Sequence, residues 1–173
     1  MDATAGNGHD TLFLASLVSP GGTVHAFDVQ MKALHRTEER LREKGVRDGT
    51  VILHHIGHEF AAATLAAAGV IAIRAAMFNL GYLPRGDPAI ITQPNTTIRA
   101  VADMLSLLDS QGIITLVMYV GHPGGESEAA ALRAFIQQIP TSEFMARHYR
   151  PAPHRDHSPE LIVIERLDGT CGT

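Results

Sequence analysis

Short apolar runs alternate with amphipathic stretches along the whole chain. The apolar runs predict buried strands over residues 23–29, 51–53, 71–78 and 113–119. The stretches between them carry apolar residues at helical spacing and predict helices over residues 12–18, 31–44, 59–68, 96–108 and 126–138. Residues 144–149 and 161–165 are typical of an antiparallel strand pair. This order predicts the α/β class, with a doubly wound, mostly parallel sheet that the antiparallel pair closes.

The informative polar and glycine residues concentrate at the ends of these predicted strands. In a doubly wound sheet, ligands bind at the carboxyl ends of the strands, near the point where the strand order reverses. The residues that stand at or just after such ends are Gly6, Gly8, Asp28, His58, Asn79, Tyr119 and His122. Their shared placement predicts one ligand site to which several loops contribute.

The segment Asp2–Thr11, with the sequence DATAGNGHDT, has the pattern of a strand end, a glycine turn and the start of a helix. Gly6 and Gly8 let the backbone approach a ligand closely. The side chains suited to partner the free amides of the first helical turn are Asn7, Asp10 and Thr11. The segment therefore predicts a site for a nucleotide-type cofactor.

The identity of the cofactor follows from the details of this turn. A dinucleotide fingerprint has a third glycine, and Thr11 occupies its position, which disfavours NAD. The chain has no G-x-x-x-x-G-K-[ST] motif, which excludes an ATPase loop of that type. Asp28, at the end of the next strand, suits the hydroxyl groups of a ribose. Because S-adenosylmethionine has this ribose and no pyrophosphate, it is the predicted cofactor.

Composition and charge narrow the function classes. With 173 residues and 45% hydrophobic content, the chain is expected to form one domain over residues 1–173. The formal net charge of −4 gives no global attraction for nucleic acid, so RNA binding requires a local patch. Cys171 is the only cysteine, which excludes a disulfide framework and fits a cytoplasmic location. Because metal-binding motifs, a signal peptide and apolar runs of membrane length are all missing, we expect no metal and no membrane association.

Four segments resemble, in the same order, those of the YtqB-like family of class I methyltransferases, long labelled rRNA methylases. The segments are DATAGNGHDTLFLA, AFDVQ, FNLGYLPRGD with the following TTI, and YVGHPGGESE. The resemblance covers nearly the whole chain and implies a Rossmann-like enzyme that uses S-adenosylmethionine. It also implies MnmM-type methylation of the tRNA wobble uridine, in which 5-aminomethyluridine, usually 2-thiolated, becomes its 5-methylaminomethyl form. The implied partner is tRNA, bound through its anticodon stem-loop.

Two segments depart from the family pattern. Family members carry an amino-terminal helix and most of a first strand before the DAT segment, and here only Met1 precedes it. We therefore expect a fragment or a misplaced start, with unpaired edges on the two neighbouring strands, and a second copy of the chain is a candidate partner. Near the other end, relatives have N-x-x-N-x-P-P where this chain has PHRDHSP at residues 153–159. If that loop contacts the substrate, the substrate specificity of this chain is expected to differ from that of its relatives.

The resemblance also implies roles in the cofactor site. The residues assigned to it are Asp2, Gly6, Asn7, Gly8, Asp10, Thr11, Asp28, Gln30, His58 and Asn79. Asp2 and the glycine turn are expected to hold the methionine part, and Asp28 the ribose, while Gln30 and His58 flank the adenosine. The simpler alternative for Asp28 is a plain helix cap.

The acceptor side of the site is predicted from the residues that follow the strand over residues 71–78. Asn79, with the Leu80–Tyr82 backbone, resembles in position the polar motif by which many amine methyltransferases orient the acceptor nitrogen. We predict that Asn79 and Tyr82 act there, and that an imidazole accepts the proton an alkylammonium must lose. His122 is the first candidate for this base and His9 the second. The simpler alternatives are that Asn79 caps a turn and that His122 only fits a glycine loop.

Aromatic and basic residues supply candidate RNA contacts. Tyr82 and Tyr119 are placed either to stack on a flipped-out base or to finish the core. The candidates for phosphate contact are Arg147, His148, Arg150, His154, Arg155 and His157, together with Arg85, Arg99 or Lys32. The alternative is a solvated face. Methylation of a small-molecule amine, rRNA methylation and non-catalytic RNA binding stay open as alternative functions.

Overall fold

The structure is a computed structural model that describes residues 1–18, 21–87, 89–151 and 158–168. Its helices are α1 (His9–Val18), α2 (Met31–Glu43), α3 (Ala61–Ala67), α4 (Pro94–Leu107) and α5 (Gly125–Ile136). Its strands are β1 (Val24–Asp28), β2 (Val51–His55), β3 (Ile73–Leu80), β4 (Leu108–Met118), β5 (Phe144–Tyr149) and β6 (Glu160–Arg166). A 3₁₀ turn, His58–Phe60, precedes α3. Each predicted helix and strand is confirmed, with the largest shift at the start of β4.

The sheet is parallel in its first part and antiparallel at its far edge. Parallel pairing joins β1 to β2 and β3 to β4. Antiparallel pairing then adds β6 beside β4, and β5 beside β6. The predicted mostly parallel sheet with a closing antiparallel pair is confirmed.

Residues 1–3 occupy the position between β1 and β3. The Asp2 nitrogen donates to the His25 carbonyl at 2.9 Å, and the Ala3 nitrogen donates to the Met77 carbonyl at 2.8 Å. Asp2 thereby forms parallel bridges to both strands. The expectation of unpaired edges is wrong over this stretch, because even three residues supply backbone donors and acceptors on both sides.

Side chains alternate between two faces of the sheet, and each face is covered by its own helices. Phe27 and Phe78 are buried in a core cluster with residues of α3, α4 and α5. Val24 is buried with Leu14 of α1 and Leu41 of α2 in a second cluster. This two-sided cover is the doubly wound arrangement, and it leaves the carboxyl ends of the parallel strands open at one edge. None of the helices in the described ranges is long and apolar enough to cross a membrane.

A stacked histidine pair joins the edge strand β2 to β1. The His25 and His54 rings have centroids 5.2 Å apart, and Nδ1 of His25 lies 3.0 Å from Nε2 of His54. Burial lowers the pKa of both imidazoles, and the charge of His54 lowers the pKa of His25 further. The unfolded chain therefore binds protons at a higher pH than the folded pair does. Acidification through the ordinary histidine pKa must then favour unfolding.

We expect the free energy of unfolding in urea to fall between about pH 7.5 and 5.5 more steeply for the wild type than for a His25→Phe/His54→Phe variant. The variant keeps two stacked rings but removes both titrating groups. His35→Phe, which changes an exposed histidine of α2, serves as the control and should keep the wild-type slope. Equal slopes for the wild type and the double variant would contradict this account.

Candidate active site

The loops that follow β1, β2, β3 and β4 surround a cavity of about 790 Å³. The predicted site residues on its wall are Gly6, Asn7, His9, Asp10, Asp28, Gln30, His58, Asn79, Tyr82, Tyr119 and His122. The predicted residues that are not on the wall are Asp2, Gly8, Thr11, Lys32, Arg85, Arg99, Arg147, His148 and Arg150. His154 and Arg155 lie outside the described residues. The residues placed at strand ends by the sequence pattern thus meet around one cavity.

Asp28 connects the glycine turn to the strand beside it. Its Oδ2 accepts a hydrogen bond from the Gly6 nitrogen at 2.9 Å, and its Oδ1 accepts one from the Gln30 nitrogen at 2.8 Å. Burial raises the pKa of Asp28, and these two bonds oppose the rise. Because a carboxylate offers about four lone-pair sites, both oxygens can still accept a hydroxyl proton from a ligand.

Asp2 supports the glycine turn from beneath. Its carboxylate is fully buried and accepts hydrogen bonds from the Thr11 hydroxyl at 2.6 Å and from the Thr4 nitrogen at 3.1 Å. Burial raises the pKa of Asp2 to about 6. The structure therefore gives Asp2 and Thr11 a supporting position instead of the ligand contact expected of them, because the strand carries the Asp2 side chain under the turn.

Helix α2 holds the other side of the same turn. Arg40 Nε donates to the Asn7 carbonyl at 2.6 Å, and Arg36 donates to Asn7 Oδ1 at 3.1 Å. The Thr37 hydroxyl donates to the Gly6 carbonyl at 3.3 Å. The sequence pattern did not indicate a contact of these three α2 residues with the turn. Their spacing within one helical turn was a usable signal, because it places them on one side of α2.

Gly8 is required where the turn meets α2. Its φ is +76°, and a Cβ added there would lie 2.8 Å from the Thr37 Cα. Gly45 has a similar φ of +66° but has no atom within 4 Å of its added Cβ. A substitution at either glycine would therefore strain the backbone, but only at Gly8 would the added Cβ also clash with a neighbour.

We expect Gly8→Ala to lower the free energy of unfolding by about 3 kcal/mol, from both strain and overpacking. Gly45→Ala should cost only about 1 kcal/mol, because it adds the strain alone. Urea denaturation of both variants measures the difference. Equal losses would show that the contact with α2 imposes no constraint on the turn.

His58 presents a buried nitrogen with no partner. Its Nδ1 lies 3.3 Å from the Ala3 carbonyl, so Nδ1 carries the proton and Nε2 is the acceptor. Nε2 is buried and has no hydrogen-bond partner within the described part of the chain. Burial lowers the pKa of His58, which keeps the ring neutral. A buried acceptor without a donor is costly, and a ligand hydroxyl or amino group would satisfy it.

Asn79 is the next-to-last residue of β3 and lies on the cavity wall. Its backbone nitrogen donates to the Thr4 hydroxyl at 2.8 Å. Its side-chain Nδ2 donates to Asp10 Oδ2 at 2.5 Å. The alternative of a simple turn cap does not describe these contacts, since both connect β3 to the segment around the glycine turn.

His122 lies on the wall with its nitrogens turned away. Nδ1 is 3.0 Å from the Pro123 carbonyl, and Nε2 is buried without a partner among the described residues. A Cβ added at Gly81 or Gly125 would lie 3.3 or 3.0 Å from Nε2, so the ring fills the space that these glycines leave. This packing matches the simpler alternative for His122. Its role as a base stays a prediction, and His9 is the exposed imidazole on the wall.

Tyr82 and Tyr119 form the open side of the cavity, with 53% and 48% of their surfaces exposed. Tyr82 lies on a loop that Thr92 closes, since the Thr92 nitrogen donates to the Gly81 carbonyl at 2.9 Å. Glu128 anchors this loop by accepting hydrogen bonds from the hydroxyls of Thr92 and Thr97 at 2.6 and 2.7 Å. Glu128 was not among the site residues predicted from the sequence. Its position among the inward residues of α5 was the available signal.

The described residues of the predicted carboxyl-terminal phosphate patch are paired with carboxylates. Arg147 lies 3.2 Å from Glu165, while His148 and Arg150 lie 2.8 and 3.2 Å from Glu160. His157, like His154 and Arg155, falls outside the described residues. The described part of the predicted phosphate patch is therefore largely charge-compensated. Within those same ranges, the structure has no group of three or more side chains arranged to hold a metal ion.

Comparison with known proteins places this geometry among methyltransferases. Residues 24–165 match a protein family described as "Putative rRNA methylase". A Clostridium thermocellum structure of the same description is 38% identical with a TM-score of 0.89, over 96% of this chain and 87% of that chain. A Streptococcus mutans "putative methyltransferase" in complex with SAH is 37% identical with a TM-score of 0.84, over 96% and 86%.

A curated plant protein is also similar. It is the chloroplastic tRNA (mnm(5)s(2)U34)-methyltransferase of Arabidopsis thaliana, 35% identical over 171 residues. The match covers 95% of this chain and 61% of the plant protein, so the chain spans about three fifths of that relative.

Proposed function

This chain belongs to the rRNA methylase family, and on that basis we propose that it is an S-adenosylmethionine-dependent methyltransferase that modifies tRNA. The observation that carries the proposal is the position of Asp28, bonded to the glycine turn on the wall of the cavity. A carboxylate in that place suits the two hydroxyls of a ribose. A solved relative in complex with SAH, the product form of this cofactor, supports the same assignment.

The residues present fit S-adenosylmethionine. The first turn of α1 presents backbone N–H groups that have no partner inside the helix, and these suit the methionine carboxylate. Asp28 suits the ribose, and the unpaired Nε2 of His58 suits a donor on the nucleoside. When bound, the cofactor supplies a methyl group already activated by the sulfonium.

The chain's own task is to position an acceptor amine. In the transfer, the acceptor nitrogen forms a bond to the methyl carbon, the bond from that carbon to sulfur breaks with its electron pair going to sulfur, and the amine loses one proton. Asn79 Oδ1 accepts an N–H from the amine and so aims its lone pair. Tyr82 and Tyr119 flank the base that carries the amine. His9, the exposed imidazole on the wall, receives the proton, directly or through water.

We further propose that the acceptor is the exocyclic amine of 5-aminomethyluridine, usually 2-thiolated, at the tRNA wobble position. The name of the Arabidopsis relative and the amine-orienting amide of Asn79 support this choice. The exposed Tyr82 and Tyr119 support a flat acceptor such as a nucleobase. In this arrangement the anticodon stem-loop brings its wobble base to the open side of the cavity.

Methylation of defined tRNA tests the proposal. The protein is incubated with isotopically methyl-labelled S-adenosylmethionine and with tRNA that carries 5-aminomethyl-2-thiouridine, and the digested nucleosides are analysed by mass spectrometry. We expect labelled 5-methylaminomethyl-2-thiouridine and no label in an unmodified transcript of the same tRNA. Equal labelling of free 5-aminomethyluridine nucleoside would favour a small-molecule amine methyltransferase. Label in rRNA alone would contradict the tRNA assignment.

A further inference from the structure

We propose that Asp10 is a positioning residue that fixes the side-chain amide of Asn79 in one of its two orientations and thereby selects acceptors with an N–H group. The inference rests on the proposed function, since it concerns how the acceptor is oriented. It assigns to Asp10 a role different from the cofactor contact expected from the sequence.

The observation is a direct contact between two elements far apart in the chain. Asp10 lies in the first turn of α1, and Asn79 lies at the end of β3. Asn79 Nδ2 is 2.5 Å from Asp10 Oδ2, and both residues line the cavity. The backbone nitrogen of Asn79 is held separately by the Thr4 hydroxyl at 2.8 Å. Thr4 thus holds the backbone of Asn79, and Asp10 determines how the side-chain amide of Asn79 is rotated.

The chemistry of the pair decides which end of the amide faces the acceptor. The oxygen and nitrogen ends of an asparagine amide have nearly the same shape, so packing alone does not distinguish them. An ionised carboxylate only accepts hydrogen bonds, so the nitrogen end must turn toward Asp10. The oxygen end then remains for the cavity, and within the described ranges no hydrogen bond occupies it. With Oδ1 presented, the site binds an amine through its N–H and disfavours an acceptor that lacks one.

Asp10 is also held in a fixed position at the start of α1. A carboxylate in the first turn of a helix is stabilised by the positive end of the helix dipole. The turn before it is held by Asp28 and by α2. Asp10 is therefore a fixed hydrogen-bond partner that sets the orientation of the Asn79 side-chain amide.

A reciprocal exchange of the two side chains tests the inference through activity. Asn79→Asp places two carboxylates against each other and should lower kcat at saturating S-adenosylmethionine by about 100-fold. Adding Asp10→Asn restores one donor and one acceptor, with a free Asp oxygen toward the cavity, and should recover at least about tenfold. Asp48→Asn makes the same chemical change at an exposed site and should not rescue Asn79→Asp. If Asp10→Asn leaves the defect of Asn79→Asp unchanged or deepens it, the inference is overturned.

A spectroscopic readout keeps the test independent of activity. In ¹⁵N-labelled protein, the two Nδ2 protons of Asn79 are assigned by their loss in Asn79→Asp. We expect them to be widely separated in the wild type, because one of them donates to a carboxylate, and to converge in Asp10→Ala. Unchanged signals in Asp10→Ala would overturn the inference. If the wild type transferred no methyl group at all, the proposed function would fail, and these signals would still decide whether Asp10 fixes the amide.

Discussion

Asp28→Ala is expected to weaken binding of S-adenosylmethionine by about 100-fold or more, because it removes hydrogen bonds to a charged acceptor in a partly buried site. The substitution deletes the ribose acceptor and also releases the Gly6 and Gln30 nitrogens that the carboxylate now holds. The glycine turn and the ribose site are therefore lost together. Calorimetric titration of the folded variant measures the change in the dissociation constant.

The control for this titration is Asp48→Ala, which removes an exposed carboxylate after α2. It should bind as the wild type does. Thermal denaturation of both variants establishes that each is folded before titration. If folded Asp28→Ala bound the cofactor within about threefold of the wild type, the ribose assignment would be wrong, since such a difference is under 1 kcal/mol.

Asn79→Ala is expected to lower kcat for methyl transfer to modified tRNA by about 100-fold or more, the scale seen when a positioned hydrogen-bonding group is removed. The affinity for S-adenosylmethionine should change less than about tenfold, since the Nδ2 of Asn79 is already committed to Asp10. Steady-state kinetics with tRNA separates kcat from KM. The large effect should fall on kcat, because the side chain aligns the reacting nitrogen.

Asn95→Ala is the matched control for this prediction, because it truncates the same side chain at an exposed position of α4. It should leave both kinetic constants near the wild-type values. A rise in KM with kcat unchanged in Asn79→Ala would mean that Asn79 contributes only to uniform binding. That result would remove Asn79 from the orientation of the acceptor.

The fold and the location of the site were accessible from the sequence for a common reason. Short apolar runs form buried strands, and amphipathic stretches form helices that bury one face. The pattern of burial along the chain therefore indicates the helices and strands and their order. Because the strands are parallel, the residues after each of them meet at one edge. Asp28, His58 and Asn79 therefore met around one cavity although they are far apart in the chain.

The directions in which side chains point were harder to predict from the sequence. Asp2 is a residue type that often contacts ligands. Its backbone bridges to β1 and β3, however, place its carboxylate beneath the glycine turn, where it contacts Thr11. His122 has the residue type of a base, but its Nδ1 lies 3.0 Å from the Pro123 carbonyl and two glycines enclose its Nε2. Both outcomes depend on backbone groups whose positions no local pattern contains.

Partners from distant segments were missed for a related reason. Arg40 meets the glycine turn across 33 positions of sequence, and Glu128 meets Thr97 across 31. Nothing in a single sequence pairs such residues. Strand pairing likewise extends β4 back to Leu108, which lies beside Ile73, whereas the sequence predicted a start at residue 113.

A crystal structure with S-adenosylhomocysteine tests the central claim most directly. We expect the ligand to occupy the cavity at the carboxyl edge of the sheet, with its ribose hydroxyls on Asp28 and its sulfur toward Asn79. Electron density for the ligand elsewhere on the folded protein, or an empty cavity at saturating ligand, would contradict the account.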